Sequence, residues 1–69
     1  MSDHVYKKIE LVGSSKQSVE DAIQNAITTA SKSLEHLDWF EVQEVRGDIK
    51  NGAVDYYQVT LKVGFRLND

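Results

Sequence analysis

The stretch from Tyr56 to Leu67 constrains the fold more than any other part of the chain. Tyr57, Val59, Leu61, Val63, Phe65 and Leu67 are apolar or aromatic at every second position, and Tyr56, Gln58, Thr60, Lys62 and Arg66 fill the positions between them. Side chains of a strand point to opposite faces with a period of two. The pattern predicts a strand over about Ala53 to Leu67 with one apolar and one mostly polar face. Such a strand is roughly 40 Å long at about 3.3 Å per residue, well beyond the usual five or six residues. It needs strands beside it and cover for its apolar face.

The flanking sequence supplies both. Lys50-Asn51-Gly52 reads as a hairpin turn, preceded by a second strand from about Trp39 to Lys50. Its apolar residues change phase: Phe40 and Val42 are even, Val45 and Ile49 odd. A β-bulge near Gln43-Glu44 returns all four to one face and leaves Trp39, Glu41, Arg46 and Asp48 on the other. A simple two-residue turn at Asn51-Gly52 pairs Ile49 with Val54 and mixes the faces. The reading therefore takes the turn to carry an extra residue, or Ile49 to be misassigned. A first strand runs from about Val5 to Val12 and stops at Gly13. Gly13-Ser14-Ser15 is a turn into a helix, with Ser15 as N-cap and Ser18 as the alternative. Glu20 and Asp21 suit the positive end of a helix capped at Ser18.

The helix is predicted to reach about Leu37, roughly 33 Å at about 1.5 Å per residue. Val19, Ala22, Ile23, Ala26, Ile27, Ala30, Leu34 and Leu37 form one apolar stripe. No glycine closes it, so Asp38 and Trp39 fall at a tight helix-to-strand corner. The order is β-α-β-β, an α+β class, in one domain spanning 1–69.

A 69-residue domain buries only about 60% of the surface its unfolded chain exposes. Small proteins compensate with disulfides, metals or association. There is no cysteine, and His4 and His36 are the only histidines, without ligand-like spacing. Oligomerisation is the remaining remedy. A net charge of −3 argues against nucleic acid as the main partner. No apolar run approaches the roughly 18 residues of a membrane span, and no signal-peptide pattern opens the chain. The expectation is a cytoplasmic protein with no membrane partner.

One helix covers one face of a three-stranded sheet. The other face carries Trp39, Arg46, Tyr56, Gln58, Thr60 and Arg66, a set suited to a partner or a flat ligand. A lone tryptophan in a small domain is more often a core or interface residue than a ligand platform. Exposed arginines are ordinarily solvated or ion-paired, and Gln58 alone says almost nothing. The residues by themselves leave both readings open.

Leu37-Asp38-Trp39-Phe40-Glu41-Val42, then Arg46-Gly47, Tyr57-Gln58-Val59 and Val63-Gly64-Phe65-Arg66-Leu67 together resemble the dodecin family. The opening Val5-Tyr6-Lys7-Lys8-Ile9-Glu10-Leu11-Val12-Gly13-Ser14-Ser15 is similar to it too. Each motif is weak alone; their order and spacing cover nearly the whole chain. The resemblance implies a three-stranded antiparallel sheet partly wrapped around one helix, with twelve copies forming a hollow sphere. It implies flavins bound in pairs at two-fold axes, with flavin mononucleotide (FMN) favoured in the bacterial branch and riboflavin or lumichrome also accepted.

By the same resemblance Trp39 is the stacking residue, and a two-fold mate supplies the second indole. Gln58 matches the polar edge of the ring, and Arg46 pairs with the flavin phosphate or packs on the ring. Asp38 faces the ribityl hydroxyls or the corner backbone, and Arg66 is a further phosphate candidate. Some bacterial members hold coenzyme A on the outer surface, with Lys7, Lys32 and Arg66 as candidates here. The implied function is flavin storage and photoprotection, not catalysis. Two rivals stand beside it. A flavoenzyme lacks a nucleophile–base set in this sequence. A ligand-free interaction module would fail to bind added flavin.

Overall fold

The computed structural model describes residues 3–67. Four elements follow in the order β1 (Tyr6–Ser15), α1 (Val19–Ala30), β2 (Leu37–Lys50) and β3 (Ala53–Arg66). They form one antiparallel sheet in the order β1-β3-β2, with β3 in the middle. The strand with the strictest alternation thus takes the position with neighbours on both edges. Its odd residues Val59, Leu61 and Val63 are buried against Ala22 and Ala26 of the helix, with Ile9, Leu11, Val19, Ile23, Ile27 and Leu37 packed around them.

The bulge expected in the second strand is present: Val42 pairs with Leu61 and Glu44 with Thr60, leaving Gln43 without a partner. Phe40, Val42 and Val45 therefore all lie on the helix side. The hairpin differs from expectation. The turn is a two-residue one with Asn51 and Gly52 both at positive φ (53° and 78°), and it does pair Ile49 with Val54. The extra residue sits in β3 instead: Asp48 pairs with Tyr56, so Asp55 is bulged. The chain keeps the tight turn, whose twist matches that of the strands, and corrects the phase one step later.

Three further boundaries are corrected. First, β1 runs through Gly13 to Ser15. Gly13 does not end the strand; it lets the helix approach, since a Cβ there would strike the Ala22 carbonyl and the Ala26 methyl. Second, the N-cap is Ser18, whose Oγ accepts from the Asp21 amide at 3.0 Å. Ser15 organises the turn before it: its Oγ accepts from the Gln17 amide (2.9 Å) and donates to the Asp21 carboxylate (2.7 Å).

Third, the helix ends at Ala30, not near Leu37. Ser31 turns its hydroxyl back onto the Ile27 carbonyl at 2.8 Å, and the amides of Lys32 and Ser33 bond carbonyls three residues back. Hydroxyl side chains compete with the helix for these groups, and the last turn tightens. His36 then takes a left-handed conformation (φ 63°), its carbonyl accepts from the Arg66 amide, and the chain enters β2 at Leu37. The reversal lies at residues 31–36; Asp38 and Trp39 are already in the strand.

The short helix packs over β1 and β3. On β2 the helix-side residues Phe40, Val42, Val45 and Ile49 stay exposed, Ile49 at 75%. No helix among the described residues is long and apolar enough to cross a membrane.

Candidate functional site

The sheet face opposite the helix can be read row by row from the strand register. Tyr6 lies opposite Arg66, Lys8 and Trp39 flank Gly64, Glu10 and Glu41 flank Lys62, and Val12 and Glu44 flank Thr60. Ser14 and Arg46 flank Gln58, and Asp48 faces Tyr56. This is the polar face expected from the even residues of β3, and it places Trp39, Glu41, Arg46 and Asp48 together on it as the bulge requires.

Trp39 is the centre of one end. A second irregularity in β2 leaves Asp38 without a partner between Leu37 and Trp39. The indole lies over Gly64: a Cβ built there would fall nearly equidistant from three atoms of the six-membered ring, so the ring face rests on bare backbone. The Tyr6 ring meets the indole edge-to-face at 5.4 Å, a favoured aromatic geometry. The indole N–H donates to Glu41 Oε2 at 3.0 Å, and Lys8 Nζ donates to the same carboxylate at 3.1 Å and 3.3 Å. These partners fix the ring on one side and along its edges, and Trp39 still keeps 37% of its surface exposed. The Trp39 N–H first, and then the Lys8 ammonium with Lys62 nearby, hold the Glu41 carboxyl below its ordinary value; slight desolvation opposes them.

The other expected residues divide into groups. Arg66 stays at this end and lines a cleft of about 160 Å³ with His36, Leu37 and Asp38. Gln58 and Arg46 are cross-strand partners, adjacent to one another but six residues along β3 from Gly64, roughly 20 Å at about 3.3 Å per residue. One copy therefore does not bring Trp39 and Gln58 to a single small ligand. Lys7, Lys32 and Arg66 are not gathered either. Lys7 pairs with Phe65 on the helix side, Arg66 lies on the opposite face, and Lys32 sits in the turn after the helix.

Tyr6, Lys8, Glu41 and Gly64 were not singled out from the sequence. Glu41 was within reach, two residues from Trp39 and so on the same face of a strand. Lys8 and Tyr6 meet Trp39 only through the β1–β3 register, and the bed at Gly64 only through the β2–β3 register.

Comparison with known proteins covers almost the whole chain. The family model for Dodecin matches residues 5–68. A dodecin of Thermus thermophilus is 58% identical over 65 residues, 94% of either chain. The solved structure of the dodecin from Streptomyces coelicolor superposes with a TM-score of 0.94 at 52% identity, covering 100% of this chain and 99% of that one. A tryptophan-to-phenylalanine variant of the T. thermophilus dodecin gives a TM-score of 0.93 at 55% identity, over 97% of this chain and 100% of that one. With a family model spanning both ends of the sheet, and relatives above half identity sharing its topology, the chain belongs to the dodecin family.

Proposed function

We propose that this protein binds flavins, FMN or riboflavin, and stores them in a light-protected form without catalysing a reaction. The observation that carries the reading is the Trp39 indole, seated on Gly64 on the helix-free face and braced by Tyr6 and Glu41, with part of its surface open. A braced, flat, electron-rich ring is a ready platform for an isoalloxazine. In the paired arrangement implied by the family, two flavins stack between Trp39 of one copy and Trp39 of its two-fold mate.

The distance between Trp39 and Gln58 supports an oligomeric site. Gln58 of the same copy lies roughly 20 Å along β3 from the bed of Trp39, at about 3.3 Å per residue, too far to meet the edge of the ring that Trp39 stacks, so that contact is assigned to another copy. The exposed apolar row Phe40, Val42, Val45 and Ile49 supports association too, and the closed dodecamer is the form this reading takes. Both ring faces are then occupied, which leaves no room for a substrate. Photoprotection follows from the same contact. An excited flavin takes an electron from the stacked indole, and rapid return of that electron dissipates the energy.

The test is a titration with FMN, read by flavin fluorescence, beside native mass. Loss of one stacking contact is worth about 1–3 kcal/mol per ring, about 5- to 150-fold in affinity. Trp39→Ala is expected to weaken binding by that amount and to restore fluorescence to any flavin still bound. Unchanged affinity and unchanged quenching would refute the reading. The presence of an arginine-to-alanine and a tryptophan-to-phenylalanine variant among the T. thermophilus dodecin structures bears on residue types that are scarce here: one tryptophan, and arginine only at 46 and 66.

A further inference from the structure

Asn51 and Gly52 form the tip of the β2–β3 hairpin, and both are exposed. They lie between Lys50 and Ala53, the pair that closes the ladder, so the Gly52 amide has no place in the strand-to-strand hydrogen bonds. Nothing lies within 4 Å of the point that a Cβ on Gly52 would occupy. A side-chain amide thus stands one residue before a backbone N–H that is outside the ladder and unshielded. Asparagine is among the thermolabile residues. We propose that Asn51 is a site of spontaneous covalent modification, where the chain converts to isoaspartate and the hairpin ages from its tip. The proposal stands apart from the flavin reading and needs only water as co-reactant.

The Gly52 amide gives its proton to hydroxide, and its nitrogen attacks Asn51 Cγ. The new N–Cγ bond forms as the Cγ–Nδ2 bond breaks. Ammonia leaves, taking a proton from water and regenerating the hydroxide. Water then opens the resulting cyclic imide at one of its carbonyls. Opening at Cγ leaves aspartate at position 51. Opening at the main-chain carbonyl leaves isoaspartate, with the backbone running through Cβ and Cγ. Water enters, ammonia departs, and nothing is oxidised or reduced.

The fold selects Asn51 over Asn25. The Asn25 side chain donates to the Ser14 carbonyl at 3.0 Å, and the residue after it lies inside α1. Ring closure at Asn51 requires the turn, held at φ 53° and 78°, to open for an instant. Its flanking pair Ile49 and Val54 is 75% and 56% exposed, so there is little packing to break, and opening at such a margin costs little. The product does not fit the old turn. A two-residue connection depends on the twist of its backbone, and isoaspartate lengthens that backbone by a carbon. Each converted copy also becomes more negative by one charge, from −3 to −4.

The test is to hold the assembled full-length protein in warm, mildly alkaline buffer and map it by mass spectrometry with a protease that cuts after acidic residues. The fragment containing Asn51 is expected to gain the mass difference between –NH2 and –OH and to split into two chromatographic forms. An isoaspartyl carboxyl methyltransferase, used as a reagent, should label one of them. The rate should rise about tenfold per pH unit, as for any reaction through the minor deprotonated form of a group. The fragment containing Asn25 should stay unchanged. Asn51→Asp carries the charge without the extra backbone carbon and separates the two effects: amide exchange at Lys50 and Ala53 should be near wild type in that variant and severalfold faster in the aged protein. Asn51 intact after a free peptide of the sequence Ile49–Val54 has converted overturns the proposal. Equal conversion at Asn25 overturns it too, as does amide exchange in the aged protein no faster than in Asn51→Asp.

Discussion

Lys8 and Trp39 stand on strands that never pair with each other, yet both lie directly opposite Gly64. The missing side chain at the middle strand lets two outer-strand residues share one patch of backbone. The indole lies down in that gap, and the lysine reaches Glu41 beside it. Trp39 is thus placed by an absence, and the first prediction follows from filling it.

Gly64→Ala puts a methyl group into the space occupied by the six-membered ring. In most strand interiors replacing glycine helps, because glycine has more backbone entropy to lose. Here the indole must lift or rotate, and the proposed stacking platform goes with it. FMN affinity is expected to fall about 5- to 150-fold, the range for one lost stacking contact, with Trp39 fluorescence altered in the flavin-free protein. An affinity equal to wild type would show that the bed does not matter.

Gln58→Ala and Arg46→Ala probe the far end of the face. Each lies roughly 20 Å from Trp39 within its own copy, at about 3.3 Å per residue. Gln58→Ala is expected to weaken both FMN and riboflavin by a typical hydrogen bond, about 0.5–1.5 kcal/mol. Arg46→Ala should weaken FMN and spare riboflavin, because only the former carries a phosphate. Parallel calorimetric titrations with the two ligands check both, and equal losses for the two ligands in Arg46→Ala would remove the phosphate contact.

The Trp39–Glu41 contact should depend on pH in a defined direction. Hydrogen bonds from Trp39 and Lys8 lower the folded-state value of Glu41 from 4.5. A lowered carboxyl value means that the contact stabilises fully above the unfolded value and is lost as pH falls through the folded one. Acid titration of flavin-free protein, followed by Trp39 fluorescence, should show a transition below 4.5. Lys8→Met should move that transition upward, and a midpoint unmoved by Lys8→Met contradicts the assignment.

Two serines at the start of the helix separate capping from turn formation. Ser18→Ala removes the N-cap and should cost about 1 kcal/mol, a fall in thermal midpoint of roughly 4–8 °C for a domain this size. Ser15→Ala is expected to cost at least as much, although Ser15 lies outside the helix. Ser15 is buried, and its loss strips the Gln17 amide and the Asp21 carboxylate of a partner. Thermal unfolding of the two variants side by side decides the order.

The sequence made the central strand and the Gln43 bulge legible, because burial on one face writes its period into Tyr57–Leu67 and into the phase change after Val42. It did not disclose the length of the helix. Leu34 and Leu37 continue the apolar spacing past Ala30, but the Ser31 hydroxyl on the Ile27 carbonyl and the tightened bonds of the Lys32 and Ser33 amides mark where helical bonding stops, and periodicity is blind to them. Gly13 was misread for a related reason: a glycine that admits a packed helix looks the same in sequence as one that ends a strand. At the site, Trp39 and its face were legible from alternation and family resemblance together. The Lys8–Glu41–Trp39 contacts were not, because they depend on which strand takes the middle of the sheet.

The helix stops short of β2, and that has a consequence for how the protein lives and dies. Among the described residues of a single copy, only Val59, Leu61 and Val63 are large side chains almost wholly withdrawn from water, while Phe40, Val42, Val45 and Ile49 remain wet. Such a copy has too little interior to persist by itself, so separation of the subunits and loss of their structure become one event. Dilution should then unfold this protein, and a bound ligand at the subunit junction should hold it together.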